Sequence, residues 1–460
     1  MFKKTLPLIL LFNFLISGGN YDYSDLNITF VFPFFGILLS IAIIPLINHH
    51  FWEENFGKVS LFWSLLFFVP FWYFYKDAAL YELLHVVLLE YIPFIMLIGA
   101  LFVISGGIKI NGSLVGTPKM NSLFLLIGFL LASWMGTTGA GMLLIRPLIN
   151  ANRFRKHKTH IIVFFIFLVA NIGGALTPLG DPPLFLGFLN GVDFFWTTVH
   201  LLAPMLILGV LLLFIFFILD TYYYRCEHVK DPNKPYEPIT IDGKFNFILL
   251  FGVILVVLIS GTWNPHIHFT LYGVHLNIQN LLRDTLLLIF GLLSWKLTLQ
   301  EIRRSNAFTW FPIIEVSKLF IGIFITIIPV IALLKLGSDG PLGFIINLTR
   351  NPDMSANNTS YFWVTGILSG FLDNAPTYLV FFNSAGGDAY SLMKEIPITL
   401  KAISCGAVFM GAMTYIGNAP NFMVRSIAEE NDIKMPSFFG YMVWSISILL
   451  PLFLIISCIY

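Results

Sequence analysis

The chain has 460 residues, of which 57% are hydrophobic and only 11% charged, with a mean hydropathy of +0.83 and a formal net charge of +1. A soluble domain carries roughly 25% charged residues, so this composition excludes a water-covered globule, and its repeated long apolar runs point to a polytopic membrane protein. The runs are continuous rather than alternating, which excludes a strand barrel, and the near-zero charge gives no sign of a nucleic-acid partner.

The start, "MFKKTLPLILLFNFLIS", has two lysines before a short apolar run and reads as a cleaved signal segment or a short first span. Either reading of residues 1–25 leaves residue 25 outside. Crossings are then expected near 29–48, 58–76, 83–108, 160–190, 194–220, 245–261, 285–299, 310–335, 396–427 and 437–459. The stretches 121–150 and 360–385 are apolar but broken in the middle, and read as re-entrant hairpins that enter and leave on one face. The expected fold is therefore all-α. An N-terminal membrane repeat covers 26–220, a cytoplasmic connector 221–244, and a C-terminal repeat 245–460. The connector contains "YYYRCEHVKDPNKPYEP", which proline and charge explain without a binding role. Cationic residues support this count: the cluster Arg153, Arg155, Lys156 and Lys158 falls inside, while the outer side receives Lys76, Arg283, Lys335, Arg350, Lys394 and Lys401. The three cysteines, Cys226, Cys405 and Cys458, are too widely spaced to suggest a metal or disulfide.

The sequence repeats itself. "GGALTPLGDPPLF" (173–185) aligns with "MGAMTYIGNAPNF" (410–422) at an offset of 237, with six identities in thirteen positions, among them Thr177/Thr414, Gly180/Gly417 and Pro183/Pro420. Asp181 meets Asn418. The same offset pairs the hairpin centres "SWMGTTGAGMLL" and "GFLDNAPTYLVF", so that Gly136 meets Asp373 and Thr137 meets Asn374. Five crossings and one hairpin per half make the second half enter from the opposite face, which gives two inverted-topology repeats, a common plan in secondary transporters.

Backbone N–H and C=O groups cannot stay unpaired in hydrocarbon, so prolines and glycines in the middle of a span need a purpose. Pro178, Pro182 and Pro183 obstruct a continuous helix, and Gly173, Gly174 and Gly180 permit unusual dihedrals. Two half-helices joined by an internal loop are expected in each repeat, the second using Gly411, Gly417, Pro420 and Asn421. Thr177 and Thr414 add hydroxyls there, while the hairpin tips offer Thr137 and Thr138 in one half and Asp373, Asn374 and Thr377 in the other. These groups are expected to converge on a polar cavity near mid-membrane as a substrate or ion site, with Asn418 and Asn421.

An ionised aspartate in hydrocarbon needs a partner, water or a cation. A carboxyl withdrawn from water keeps its proton when the site is empty and releases it to a cation, which is the simplest basis for exchange. Asp181 and Asp373 are the candidates to hold a transported cation, although each could instead cap its loop. Glu90 and Glu315 align only at an offset of 225 and read as interface residues or as further site groups. Arg146 and Arg425 stand just beyond the hairpin and broken-helix regions, and Arg425 could balance site charge, bind an anionic substrate or extend to the cytoplasmic face. His266 and His268 lie in an outer loop where a metal is not expected.

The paired loops and tips resemble those of the ion transporter superfamily. It includes NhaD-type sodium/proton antiporters, CitM-type citrate transporters, arsenite permeases and divalent-anion/sodium symporters. "GGALTPLGDPP" and "GAMTYIGNAPN" are similar to its Thr-Pro-x-Gly-x-Pro-Pro loops, and "GTTGAG" and "LDNAPT" stand where dicarboxylate members carry Ser-Asn-Thr. The resemblance covers most of 29–460. It implies a scaffold and a transport domain, a homodimer, elevator-like movement and a cell inner (plasma) membrane location. The tips depart from Ser-Asn-Thr, keeping only Thr138 in one and Asn374 in the other. Together with Asp181 and Asp373, which repel a di- or trianion, this favours a sodium or other monovalent cation/proton antiporter, with Na⁺ and H⁺ as transported ions and no cofactor. A citrate or related carboxylate transporter coupled to a cation or proton is the alternative, followed by arsenite transport. A membrane assembly protein or enzyme is a lesser one, because His49, His50 and Glu53 lack a matching nucleophile.

Overall fold

The computed structural model describes residues 25–112, 114–227 and 238–458. The signal-like segment and most of the connector run therefore lie outside the described residues. Eight helices among those described are long and apolar enough to cross a membrane. They include α1 (Ile28–Ile47), α2 (His49–Tyr75) and α3 (Asp77–Ser105), which correspond to the first three expected crossings. Short antiparallel pairs accompany the helices: β1 (Lys109–Asn111) pairs with β2 (Thr240–Asp242), and β3 (His268–Leu271) with β4 (Val274–Asn277).

The chain then forms α4 (Pro118–Met135) and α5 (Thr137–Ala151), which meet at Gly136. The Thr117 hydroxyl caps α4 by accepting from Met120 N at 3.3 Å, and Pro118 supplies a fixed φ at the first helical position. Gly136 ends the helix because its φ of +79° and ψ of 149° suit glycine and little else. After α6 (Thr159–Leu168) a single 3₁₀ turn, Ile172–Gly174, leads into non-helical chain before α7 (Pro182–Leu189). The span expected at 160–190 is thus two short helices. In α6 every residue from His160 to Leu168 is buried, so a helix apolar all round lies wholly inside protein.

Next come α8 (Trp196–Cys226), α9 (Phe245–Thr262), α10 (Ile278–Leu297) and α11 (Phe311–Leu334). Helix α8 continues to Cys226, several residues into the stretch expected to be connector. Helix α10 begins seven residues before the expected 285. Its first turns carry Gln279 and Arg283, which a hydropathy window rejects, yet both are buried against other helices.

The final group repeats the earlier pattern. Helix α12 (Asn358–Leu372) meets α13 (Asn374–Ser384) at Asp373. Helix α14 (Pro397–Met410) gives way to a 3₁₀ turn, Gly411–Met413, and non-helical chain before α15 (Ala419–Glu430) and α16 (Phe438–Ser457). Helix α14, like α6, is buried on nearly all sides. The surrounding helices α2, α8, α9 and α16 expose large apolar side chains, such as Phe62 and Trp72 on α2 and Val199, Val210 and Phe214 on α8. Such faces are stable only against lipid tails. The protein is an all-α polytopic membrane protein in which the non-helical stretches 175–181 and 414–418 are largely buried.

Candidate functional site

The centre is built by two segments that cross their preceding helices in the same way. Thr177 Oγ1 donates to Ser133 O, 44 residues back on α4, and Thr414 Oγ1 donates to Gly370 O at 2.5 Å, also 44 residues back, on α12. The same hydroxyls accept from the loop, Thr177 from Leu179 N at 3.2 Å and Thr414 from Ile416 N at 3.1 Å. Each threonine fastens a non-helical loop to the end of a helix, which satisfies backbone groups that no water could reach. Gly180 and Gly417 let each loop fold back on itself. A Cβ on Gly180 would lie 2.1 Å from Gly174 O, and one on Gly417 2.5 Å from Gly411 O.

Asp181 stands at the start of α7, 1% exposed. Its carboxylate accepts three side-chain hydrogen bonds: from Thr137 Oγ1 at 3.2 Å, Asn374 Nδ2 at 2.5 Å and Asn418 Nδ2 at 2.9 Å. One aspartate therefore joins the start of α5, the start of α13 and the loop before α15, and two of its donors lie 193 and 237 residues away in sequence. A backbone bond from Thr137 N to Gly180 O, 2.9 Å, closes the same corner. Asn374 Oδ1 is buried and has no hydrogen-bond partner, so the site holds a spare acceptor oxygen beside the carboxylate.

Asp373 occupies the position in the second half that Gly136 holds in the first. Its φ of +74° and ψ of 141° nearly repeat those of Gly136. A side chain in that region costs on the order of 1–3 kcal/mol, and such strain collects at functional positions. Asp373 Oδ1 offsets part of it by accepting from Ala375 N at 3.1 Å. Both carboxylates border a cavity of about 90 Å³, which Gly136, Thr137, Thr138, Gly139, Gly180 and Asn418 also line. The rest of its wall is mainly apolar, with Phe94, Leu97 and Leu101 from α3 and Val316 and Phe320 from α11, and among the described residues no lysine or arginine lines it. Oxygen atoms in a small, mainly apolar chamber suit a proton or a hard monovalent cation.

Of the ten residues singled out in the sequence, Thr137, Thr138, Asp181, Asp373 and Asn418 line this cavity, and Asn374 bonds to Asp181. Thr177 and Thr414 stand behind it, where they hold the loops. Thr377 donates to Asp373 O at 2.7 Å within α13. Asn421 donates to Gly411 O and Thr414 O at 2.8 and 2.9 Å, and so orders the second loop. Glu315 accepts from Trp52 Nε1 at 3.1 Å, away from the cavity. Arg425 pairs with Glu429 on its own helix and lies over the Tyr415 ring.

Sequence reasoning overlooked Asn171. It donates to Asn421 Oδ1 at 2.6 Å and to Ile166 O at 2.8 Å, and accepts from Asn418 Nδ2 at 3.3 Å, so it ties the first loop to the second. The only signal was a polar residue at the foot of an apolar run, without a counterpart in the other half. A second network was missed as well. Arg155 binds Asp220 at 2.8 Å and Glu227 at 2.7 Å, while His160 Nε2 lies 2.9 Å from Asp220. Arg155 had counted only as one member of a cytoplasmic basic cluster, yet its side chain is fully buried.

A search of curated proteins found no match. A protein-family model, CitMHS_2, described as "Putative citrate transport", matches residues 23–460, which is nearly the whole chain. With eight membrane-length helices among the described residues and a buried polar centre, the chain belongs to this citrate-transport family and is a polytopic secondary transporter.

Proposed function

We propose that the protein is a sodium or other monovalent cation/proton antiporter working by alternating access, with Asp181 as the principal ion-binding group and Asp373 as the second. The observation that carries this reading is the chemistry of the central cavity: two carboxylates, amide and hydroxyl groups, and no basic side chain among the described residues that line it. A cation entering that chamber replaces the proton on a carboxyl, and one group serves both ions in turn. In this reading α4–α5 and α12–α13 are re-entrant hairpins, and α6–α7 and α14–α15 are broken spans, in two repeats of opposite orientation. The recurring 237-residue offset at Gly136/Asp373, Thr177/Thr414 and Asp181/Asn418 supports this arrangement.

A second reading is favoured by the family description: uptake of citrate or a related carboxylate together with a cation. A polyanion beside two aspartates without a basic partner faces repulsion, so it would enter only with its charge offset by bound cations. Proteoliposomes carrying an internal pH dye separate the two. Antiport predicts that external Na⁺ or Li⁺ alone drives proton movement, and citrate alone drives none. Labelled citrate uptake with no cation-driven proton flux between about pH 6.5 and 9 would falsify the antiport reading.

A further inference from the structure

A second cavity, of about 290 Å³, lies beside α3 and shares no lining residue with the central one. Glu82, His85 and Glu90 line it from α3, Lys335 from just beyond α11, and Asn190 and Asn383 from the far ends of α7 and α13. Glu90 sits in a π-helical turn, Val87–Tyr91, set into α3. Such turns add a residue to a helix, redirect a side chain and recur at functional sites. One carboxylate oxygen of Glu90, Oε2, is buried and has no hydrogen-bond partner among the described residues. A buried carboxylate oxygen left unpaired beside a polar cavity is costly unless something binds there.

Asn190 and Asn383 add amide groups to the lining. Asn190 Nδ2 donates to Leu186 O at 2.9 Å and Asn383 Nδ2 to Leu379 O at 2.8 Å, which leaves their amide oxygens as acceptors. With Glu82 and Glu90 both ionised and His85 neutral, two negative charges face the one lysine of the lining. Helix α7 carries Asp181 at its start and Asn190 at its end, and α13 likewise runs from Asp373 to near Asn383. At about 1.5 Å per residue, Asp181 and Asn190 lie roughly 14 Å apart along α7 and Asp373 and Asn383 roughly 15 Å apart along α13, so the two cavities border opposite ends of the same two helices.

We propose that this cavity is a second monovalent-cation site, at which Glu90 is the principal ligand and Lys335 the charge against which the incoming ion competes. The proposal rests on the transport reading of the central site, because α7 and α13 join the two and a displacement of either helix alters both. The test is binding of radiolabelled Na⁺ to the purified full-length protein, for the wild type and for Glu90→Gln, Lys335→Gln and Asp181→Asn. The wild type should show two binding components. Glu90→Gln should remove the one that survives in Asp181→Asn, and Glu90→Asp should restore part of it. Lys335→Gln should tighten that component by about 10-fold, a change in affinity that a general loss of folding cannot produce. A wild type with one component, an unchanged isotherm for Glu90→Gln, or no tightening in Lys335→Gln overturns the proposal. Failure of the central reading is separate, and would appear as unaltered binding in Asp181→Asn whatever the Glu90 variants do.

Discussion

Replacing Asp181 by asparagine removes one unit of charge and leaves the shape of the site nearly intact. A carboxylate about 4 Å from a cation, at an effective dielectric of about 20, contributes about 4 kcal/mol, or about a thousandfold in binding constant. Water in the cavity screens part of this, so the half-saturating Na⁺ concentration should rise by at least about 100-fold. Folding should suffer far less. The carboxylate accepts from Thr137, Asn374 and Asn418, and hydrogen bonds to a charged group contribute about 1.5–3 kcal/mol each. The introduced amide keeps one acceptor oxygen, and a turn of the Asn374 amide, whose Nδ2 faces the carboxylate in the wild type, lets the new N–H donate to Asn374 Oδ1. The net cost should stay near 1–3 kcal/mol, a shift of a few degrees in melting temperature. The assay is Na⁺-dependent proton flux in proteoliposomes beside thermal unfolding in detergent. A variant whose half-saturating Na⁺ stays within about 3-fold of wild type would show that the charge of Asp181 is not used for ion binding, since about 3-fold is under 1 kcal/mol.

Asp373→Gly should be neutral or stabilising by about 1 kcal/mol, because glycine accepts the positive φ that Asp373 holds under strain, yet ion transport should fall. Equal or higher melting temperature with reduced flux is the expected pair of results, and unchanged flux would demote Asp373 to a helix cap. Gly180→Ala forces a Cβ to within 2.1 Å of Gly174 O, a backbone atom that cannot swing away, so the variant should lose its monodisperse size-exclusion peak. Arg155→Met should destabilise by about 3–5 kcal/mol, since it leaves Glu227 buried without its cation and Asp220 with only His160 and Asn121. Thermal unfolding measures that loss, and a shift of under a degree would mean that the pair contributes nothing.

The membrane character, most of the helices and the places where they break were legible from residue order, because each depends on local rules. Apolar runs select the membrane, and proline and glycine interrupt helices wherever they stand. The 237-residue repeat was legible too, since identical residues recur at Thr177/Thr414 and Gly180/Gly417. Helix α10 was drawn too short because burial of Arg283 and Gln279 depends on neighbouring helices rather than on their own hydropathy.

What the tertiary structure decided is which polar groups meet. The sequence placed ten residues in one cavity. Packing put five of them on its wall, gave Thr177 and Thr414 the task of anchoring the loops, and brought Asn171 in as the tie between the halves. Asp181 and Asn418 occupy matching places in the repeat, and their direct contact across 237 residues appears only after folding. The Glu90 cavity likewise draws its lining from residues between 82 and 383. Periodicity and propensity act over a few residues. A hydrogen bond or a charge acts over a few ångströms, and only the packing of distant helices determines which groups come that close.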